Sequence, residues 1–130
     1  MKTVIGLDPN NANALNYLGY TYVDLGIQLD EAEQLIRKAL ELKPDDGYIT
    51  DSLGWVFYKR KEFDKALPIM MKAAKLVPDD PTILEHLGDV YLQLNDKENA
   101  MKSYKRSLEH QKNDTSAIRQ KIKQLTENKP

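Results

Sequence analysis

The reading of this chain turns on residues 51–67, DSLGWVFYKRKEFDKAL. Leu53 and Gly54 stand together near its start, Phe57 follows the glycine by three places, and Ala66 lies close to its end. The same order occurs upstream as Leu18, Gly19, Tyr22 and Ala32, and downstream as Leu87, Gly88, Tyr91 and Ala100. Successive glycines are 35 and 34 residues apart. Four places beyond each alanine comes a bulky apolar residue (Ile36, Met70, Tyr104), and then a small one (Ala39, Ala73, Ser107). Pro44 and Pro78 close the first two copies, Pro9 sits one period before Pro44, and Lys112 takes that place in the third. A fixed period of this kind marks a repeat array, whose copies cannot bury their apolar faces alone and must stack on their neighbours.

Within each copy two stretches show helical periodicity. Leu15, Leu18, Tyr22 and Leu25 form one stripe, matched two copies on by Ile83, Leu87, Val90, Tyr91 and Leu94. The second stretch carries Ala32, Leu35, Ile36, Ala39 and Leu40, or Ala66, Leu67, Met70, Ala73 and Ala74. A glycine inside a helix costs about 1 kcal/mol against alanine, so its recurrence predicts close approach of the paired helix, with Ala32, Ala66 and Ala100 as the facing small residues. Asp46 and Asp80 read as helix N-caps, with Pro81 at a first helical position where its missing N–H is harmless.

In this order of residue types, three times in phase over residues 10–112, the chain resembles the tetratricopeptide repeat family. The resemblance implies an all-α, right-handed solenoid of helix-turn-helix units. It divides the chain into unit 1 (10–45), unit 2 (46–79), unit 3 (80–112) and a C-terminal capping helix with its tail (113–130), where Ile118, Ile122 and Leu125 form a single apolar stripe. Residues 1–9 fit the last turns of a second helix, with Val4 and Leu7 apolar and Pro9 closing, as if an upstream repeat had been cut. The stretches ALNYLGYTYVDLG and DSLGWVFYKRKEFDKAL look like C-terminal repeats of long bacterial tetratricopeptide proteins, some of which are envelope adaptors. Two departures stand out. Unit 1 carries one residue more within Gly26–Asp30, and Pro68 sits early in a second helix, where past the first turn it removes a backbone bond.

Composition excludes several functions. Nineteen Lys and Arg against 20 Asp and Glu give a net charge of −1, which argues against a general nucleic-acid or anionic-membrane binder. No apolar run approaches the roughly 18 residues that a membrane helix needs, and no signal peptide is visible at the start. The compartment stays open between the cytoplasm and a bacterial periplasm. With no cysteine and two histidines, His86 and His110, 24 residues apart, no metal or cofactor site is expected. No phosphate-binding, dinucleotide, nucleophile-elbow or zinc-protease string occurs. Ser52 and His86 occupy equivalent places of neighbouring units, with Asp51 and Asp89 nearby. A triad needs direct hydrogen-bond reach between nucleophile and base, which equivalent places on packed helices do not provide, so no catalytic residue is expected. Residues 97–130 hold nine basic and four acidic residues, which reads as solvated lysine-rich helix faces.

In the family the first helices of the units line a concave surface. With each glycine at the eighth place, the second, fifth, ninth, twelfth and thirteenth places face inward. They hold Asn13, Asn16, Tyr20, Val23 and Asp24 in unit 1; Tyr48, Asp51, Trp55, Tyr58 and Lys59 in unit 2; Thr82, Glu85, Asp89, Leu92 and Gln93 in unit 3. The family's core tryptophan place is filled by Leu15, Thr50 and Leu84, so Trp55 is displaced onto the groove wall, with Tyr20, Tyr48 and Tyr58 around it in the repeat frame. Four carboxylates, Asp24, Asp51, Glu85 and Asp89, against Lys59 make the wall −3. Such a groove suits a peptide segment with basic and hydrophobic anchors. Chaperone-binding members grip a carboxylate with lysine, asparagine and arginine at places that hold Asn16, Tyr20, Thr82 and His86 here. The expected function is therefore non-catalytic recognition of a protein or peptide partner, as part of a longer scaffold or adaptor. The alternative is an assembly segment that self-associates through its cut N-terminal end.

Overall fold

The computed structural model describes residues 10–127; the expectations for Val4, Leu7 and Pro9 lie outside them. Seven helices are described, and no strand occurs among these residues: α1 (Ala12–Leu25), α2 (Leu29–Leu42), α3 (Gly47–Lys59), α4 (Phe63–Leu76), α5 (Pro81–Gln93), α6 (Lys97–His110) and α7 (Ser116–Glu127). Consecutive helices pair as α1–α2, α3–α4 and α5–α6, each pair packs on the next, and α7 packs on α6.

Local chemistry starts the helices at the expected caps. The Asp46 carboxylate accepts the Tyr48 and Ile49 amides, and Asp80 accepts that of Ile83. Asn11 and Asp96 cap α1 and α6 in the same way. These bonds satisfy amides that have no partner within the helix.

The turns inside the pairs explain the longer first unit. Gly26, Lys61 and Asn95 occupy equivalent places and all take the left-handed conformation, with φ of 71°, 64° and 66°. In the first turn one further residue, Gln28, is also left-handed (φ 50°) before α2 begins. The surplus residue is thus absorbed as a second reversal of the backbone. Pro68 is the sixth residue of α4, past the first turn, and its ring is exposed on a helix that continues to Leu76.

The core runs along the stack. Ala32, Ile36, Ala39, Val56, Ala66, Met70, Ala73, Val90, Ala100 and Tyr104 are fully buried. The recurrent glycines do let paired helices approach, but the facing group differs from expectation. A Cβ on Gly19 would meet Ile36 Cγ1 at 2.7 Å, on Gly54 the Met70 thioether at 3.0 Å, and on Gly88 the Tyr104 ring at 2.5 Å. The bulky residue four places after each alanine fills the space; Ala32 contributes only its carbonyl. Leu25 and Leu94, expected in the buried stripes, are exposed, because both stand at the final turn of their helix, beyond the reach of the next pair. Val23, expected to face the groove, is fully buried.

α3 is the central element, touching α1, α2, α4 and α5. Residues Ile49 through Val56 are consequently all buried, polar ones included. That placement decides the character of the site.

Candidate functional site

Along α3, α5 and α7 two registers of contacts gather some of the expected inward residues. In each, the fifth- and ninth-place residues of one first helix meet a side chain from the helix a full repeat on, His86 in one and Lys121 in the other. In the unit 2 register, Asp51 and His86 are both buried, and His86 Nδ1 lies 2.9 and 3.1 Å from the two Asp51 oxygens. Burial raises the Asp51 pKa, opposed by the charge and hydrogen bond of His86. The His86 ring stacks on Trp55 at 3.8 Å between centroids, Trp55 stacks on Tyr58 at 4.3 Å, and Tyr58 meets Phe63 edge-on at 5.3 Å. Lys59 Nζ lies 5.7 Å from the Trp55 ring centroid.

Trp55 therefore differs from the exposed anchor expected of it. It sits on the predicted wall but is only 7% exposed, because the side chain of the next helix, His86, covers one ring system while Tyr58 packs on it too. Tyr20 is half-buried and lies nearer His86 (6.5 Å). Its phenol pKa is pushed up to about 12 by burial and by the carboxylates of Asp24, Asp51 and Glu85. Tyr48 is exposed and borders a separate hollow beside Asp79, Asp80 and Thr82, away from the aromatic file. Asn13 accepts a long bond from Lys43 Nζ (3.5 Å).

In the unit 3 register Lys121, a residue whose sequence context reads as a solvated face, takes over. It reaches from α7 to Glu85 (2.6 Å) and both oxygens of Asp89 (3.0 and 3.1 Å), while the Tyr104 hydroxyl donates to Asp89 (2.6 Å). Burial and the Asp89 carboxylate hold the Tyr104 phenol far above its usual range. The Lys121 ammonium is kept charged, the bonds and charges of Glu85 and Asp89 outweighing its own burial. The carboxylates read from composition as an acidic wall are thus largely engaged from within: Asp51 is hydrogen-bonded to His86, and Glu85 and Asp89 are paired with Lys121. Asp24 alone among the wall carboxylates has no ionic partner among the described residues.

One repeat earlier the chemistry is neutral. The Ser52 hydroxyl, at the place equivalent to His86, is turned back to the Tyr48 carbonyl (3.2 Å). Ser52 and His86 make no hydrogen bond, and the histidine is committed to Asp51, so the serine has no base. His110 lies on the far edge near Asp79 (3.3 Å). No group of three or more potential metal ligands occurs among the described residues, and none of their helices is long and apolar enough to cross a membrane.

Two buried side-chain polar atoms lack a hydrogen-bond partner among the described residues: Asn16 Oδ1 and Trp55 Nε1. Both belong to this wall. Leaving such a group unsatisfied costs about 1–3 kcal/mol.

Stacked antiparallel helix pairs with side chains of successive first helices gathered on one wall define an all-α repeat protein. The chain belongs to the tetratricopeptide repeat family, whose model matches residues 7–120. A curated relative, the TPR repeat-containing protein PA4667 of Pseudomonas aeruginosa, is 48% identical over 60 residues. That match covers 46% of this chain and 10% of the relative, so the chain spans about a tenth of its length. Among solved structures, TTC0263, a thermophilic TPR protein of Thermus thermophilus, aligns with a TM-score of 0.81 at 23% identity, over 95% of this chain and 68% of that one. The first TPR of Spaghetti (RPAP3), solved with the HSP90 peptide SRMEEVD, aligns at 0.79 and 22% identity over 95% and 96%. MamA aligns at 0.76 and 24% identity over 96% and 72%. These structural likenesses establish the solenoid fold.

Proposed function

We propose that the wall of α1, α3 and α5 is a non-catalytic binding surface for a peptide segment of a partner protein, acting within a longer scaffold or adaptor. The carrying observation is what this wall leaves accessible: the half-buried Tyr20, Tyr58 and Lys59 together with the exposed Asp24 carboxylate, apolar area and an uncommitted charge on one surface. Hydrophobic anchoring falls to Tyr20, Tyr58 and the Lys59 stem, with Asn16, Tyr48, Asp51, Trp55, Glu85, Asp89 and Gln93 shaping the wall. A basic anchor is served by Asp24, where no internal cation competes. The chaperone-tail clamp is not supported, since His86, at one of its places, is committed to Asp51.

The test is capture of partners by the wild type beside a Tyr20→Ala, Asp24→Lys, Tyr58→Ala variant of equal helical content. Partners held only by the wild type support the groove; equal capture moves the site to another face. The single indole N–H resonance of Trp55 adds a direct readout, because a partner on the wall shifts it.

A second reading, assembly through the N-terminal end, rests on Tyr17. It is 75% exposed, whereas its counterparts Ser52 and His86 are buried against the preceding helix wall. Sedimentation of the chain and of a Tyr17→Ser variant tests it: size that grows with concentration only in the former supports self-association.

A further inference from the structure

Charge on the wall is distributed differently from its composition, and the difference points to a particular ligand chemistry. At the turn edge of the groove, Tyr58, Lys59, Lys61, Phe63 and Gln93 line a hollow of about 420 Å³. Two of the lining side chains, Tyr58 and Phe63, touch edge-on at 5.3 Å between centroids and make one continuous aromatic floor. The Tyr58 phenol, its pKa raised by burial and by the Asp89 carboxylate, stands with Gln93 on the α3–α5 side of the hollow. On the rim stand two ammonium groups. Lys59 leans over Trp55, Lys61 is exposed on a left-handed turn residue, and neither has a carboxylate partner among the described residues. No carboxylate lines the hollow.

This is the reverse of the unit 3 register, where Glu85 and Asp89 have drawn in the chain's own cation, Lys121. Lys59 and Lys61 are left unmatched beside an apolar floor. The geometry points to a two-part anchor site in this hollow: an apolar or aromatic side chain of the partner laid against the joined edges of Tyr58 and Phe63, and an adjacent carboxylate on Lys59 and Lys61. The inference rests on the peptide-binding reading of the wall, and reverses, at this end, the charge expected of the partner.

The probes are 3-phenylpropionate, 3-phenylpropanol and 3-phenylpropylamine, which share the ring and differ in charge, titrated into the isotopically labelled chain while amide resonances are followed. The carboxylate is expected to shift Tyr58–Phe63 and Gln93 and to bind roughly fivefold more tightly than the alcohol, in keeping with two exposed ion pairs. The amine is expected to bind most weakly. Lys59→Gln with Lys61→Gln should equalise acid and alcohol without abolishing either, and added salt should do the same. Equal or preferred binding of the amine, or shifts centred elsewhere, overturns the inference. The two readings fail separately. If the probes fill the hollow as described but a Tyr20→Ala, Asp24→Lys variant, which leaves the hollow intact, captures partners as well as the wild type does, the reading of the wider groove falls and the anchor site stands. If capture depends on the wall but the probes show no charge preference, the reverse holds.

Discussion

Placing one methyl group at three equivalent points of this molecule should have three different costs. Gly19, Gly54 and Gly88 occupy the same place in successive pairs, so Gly→Ala brings the same gain at each, about 1 kcal/mol of helix propensity. What the new Cβ meets differs. At Gly54 it lies 3.0 Å from the Met70 sulfur and terminal methyl, the far end of an unbranched side chain that can swing aside. Propensity and crowding should nearly cancel there. At Gly19 it lies 2.7 Å from Ile36 Cγ1 and 3.2 Å from the Ala32 carbonyl. A β-branched side chain yields less, and we expect a net loss of about 1 kcal/mol from overpacking. At Gly88 it lies 2.5 and 2.6 Å from two carbons of the Tyr104 ring. That ring is fully buried and tethered through its hydroxyl to Asp89, itself held by Lys121. Overpacking at the upper end of its usual range, about 3 kcal/mol, leaves a net loss of about 2. Urea unfolding, followed by helical ellipticity and by Trp55 emission, measures the series. Combining Gly88→Ala with Tyr104→Phe, which cuts the tether, should recover part of the loss. Equal destabilisation at all three glycines, or Gly54→Ala as the worst, would refute the reasoning.

Other expectations follow from the wall. His86→Ala leaves the Asp51 carboxylate buried without a partner and should cost about 3 kcal/mol or more, with a change in Trp55 emission because the stacked ring is gone. Asp51→Asn should be milder, since a neutral amide tolerates burial better. The Tyr20 phenol has its pKa raised in the folded chain, so its contribution to stability is complete below the ordinary tyrosine range and is lost as pH climbs from about 10 toward 12. Tyr20→Phe should flatten the alkaline unfolding curve there and remove one late step from the tyrosinate absorbance titration. Lys121→Met should speed amide exchange in α7 and leave the remainder of the chain protected, because its ion pairs tie that helix to α5.

Much of the fold could be read from residue types. The caps Asp46 and Asp80, the recurring glycines and the extra residue of the first turn are local features, and each acts within a few residues of its place in the chain. The wall was legible only in part. Val23 is buried, Tyr48 borders another hollow, and the solvent access of Trp55 and the charge of Asp51, Glu85 and Asp89 differ from expectation, because burial there is set by side chains a full repeat away. A usable signal existed: complementary charges separated by about one period. Asp51 and His86 are 35 residues apart, Glu85 and Lys121 are 36, and Asp89 and Lys121 are 32. Tyr104 as the partner of Gly88, in place of Ala100, could be learned only from the angle at which α5 and α6 cross.

Those same long-separation pairs set how the molecule yields to force. Arg60 of α3 grips Asp30 and Glu33 of α2, His86 of α5 grips Asp51 of α3, and Lys121 of α7 grips Glu85 and Asp89 of α5. Every junction along the stack thus carries a polar stay beside its apolar contact, ionic at the first and last and a hydrogen bond to histidine in the middle. The stays differ in shielding: the Asp30 arm is almost wholly in water, whereas the His86–Asp51 pair is sealed. Salt weakens exposed pairs far more than buried ones. The first junction should therefore soften as ionic strength rises while the second keeps its stiffness, giving a rod that flexes at one end and stays rigid in the middle.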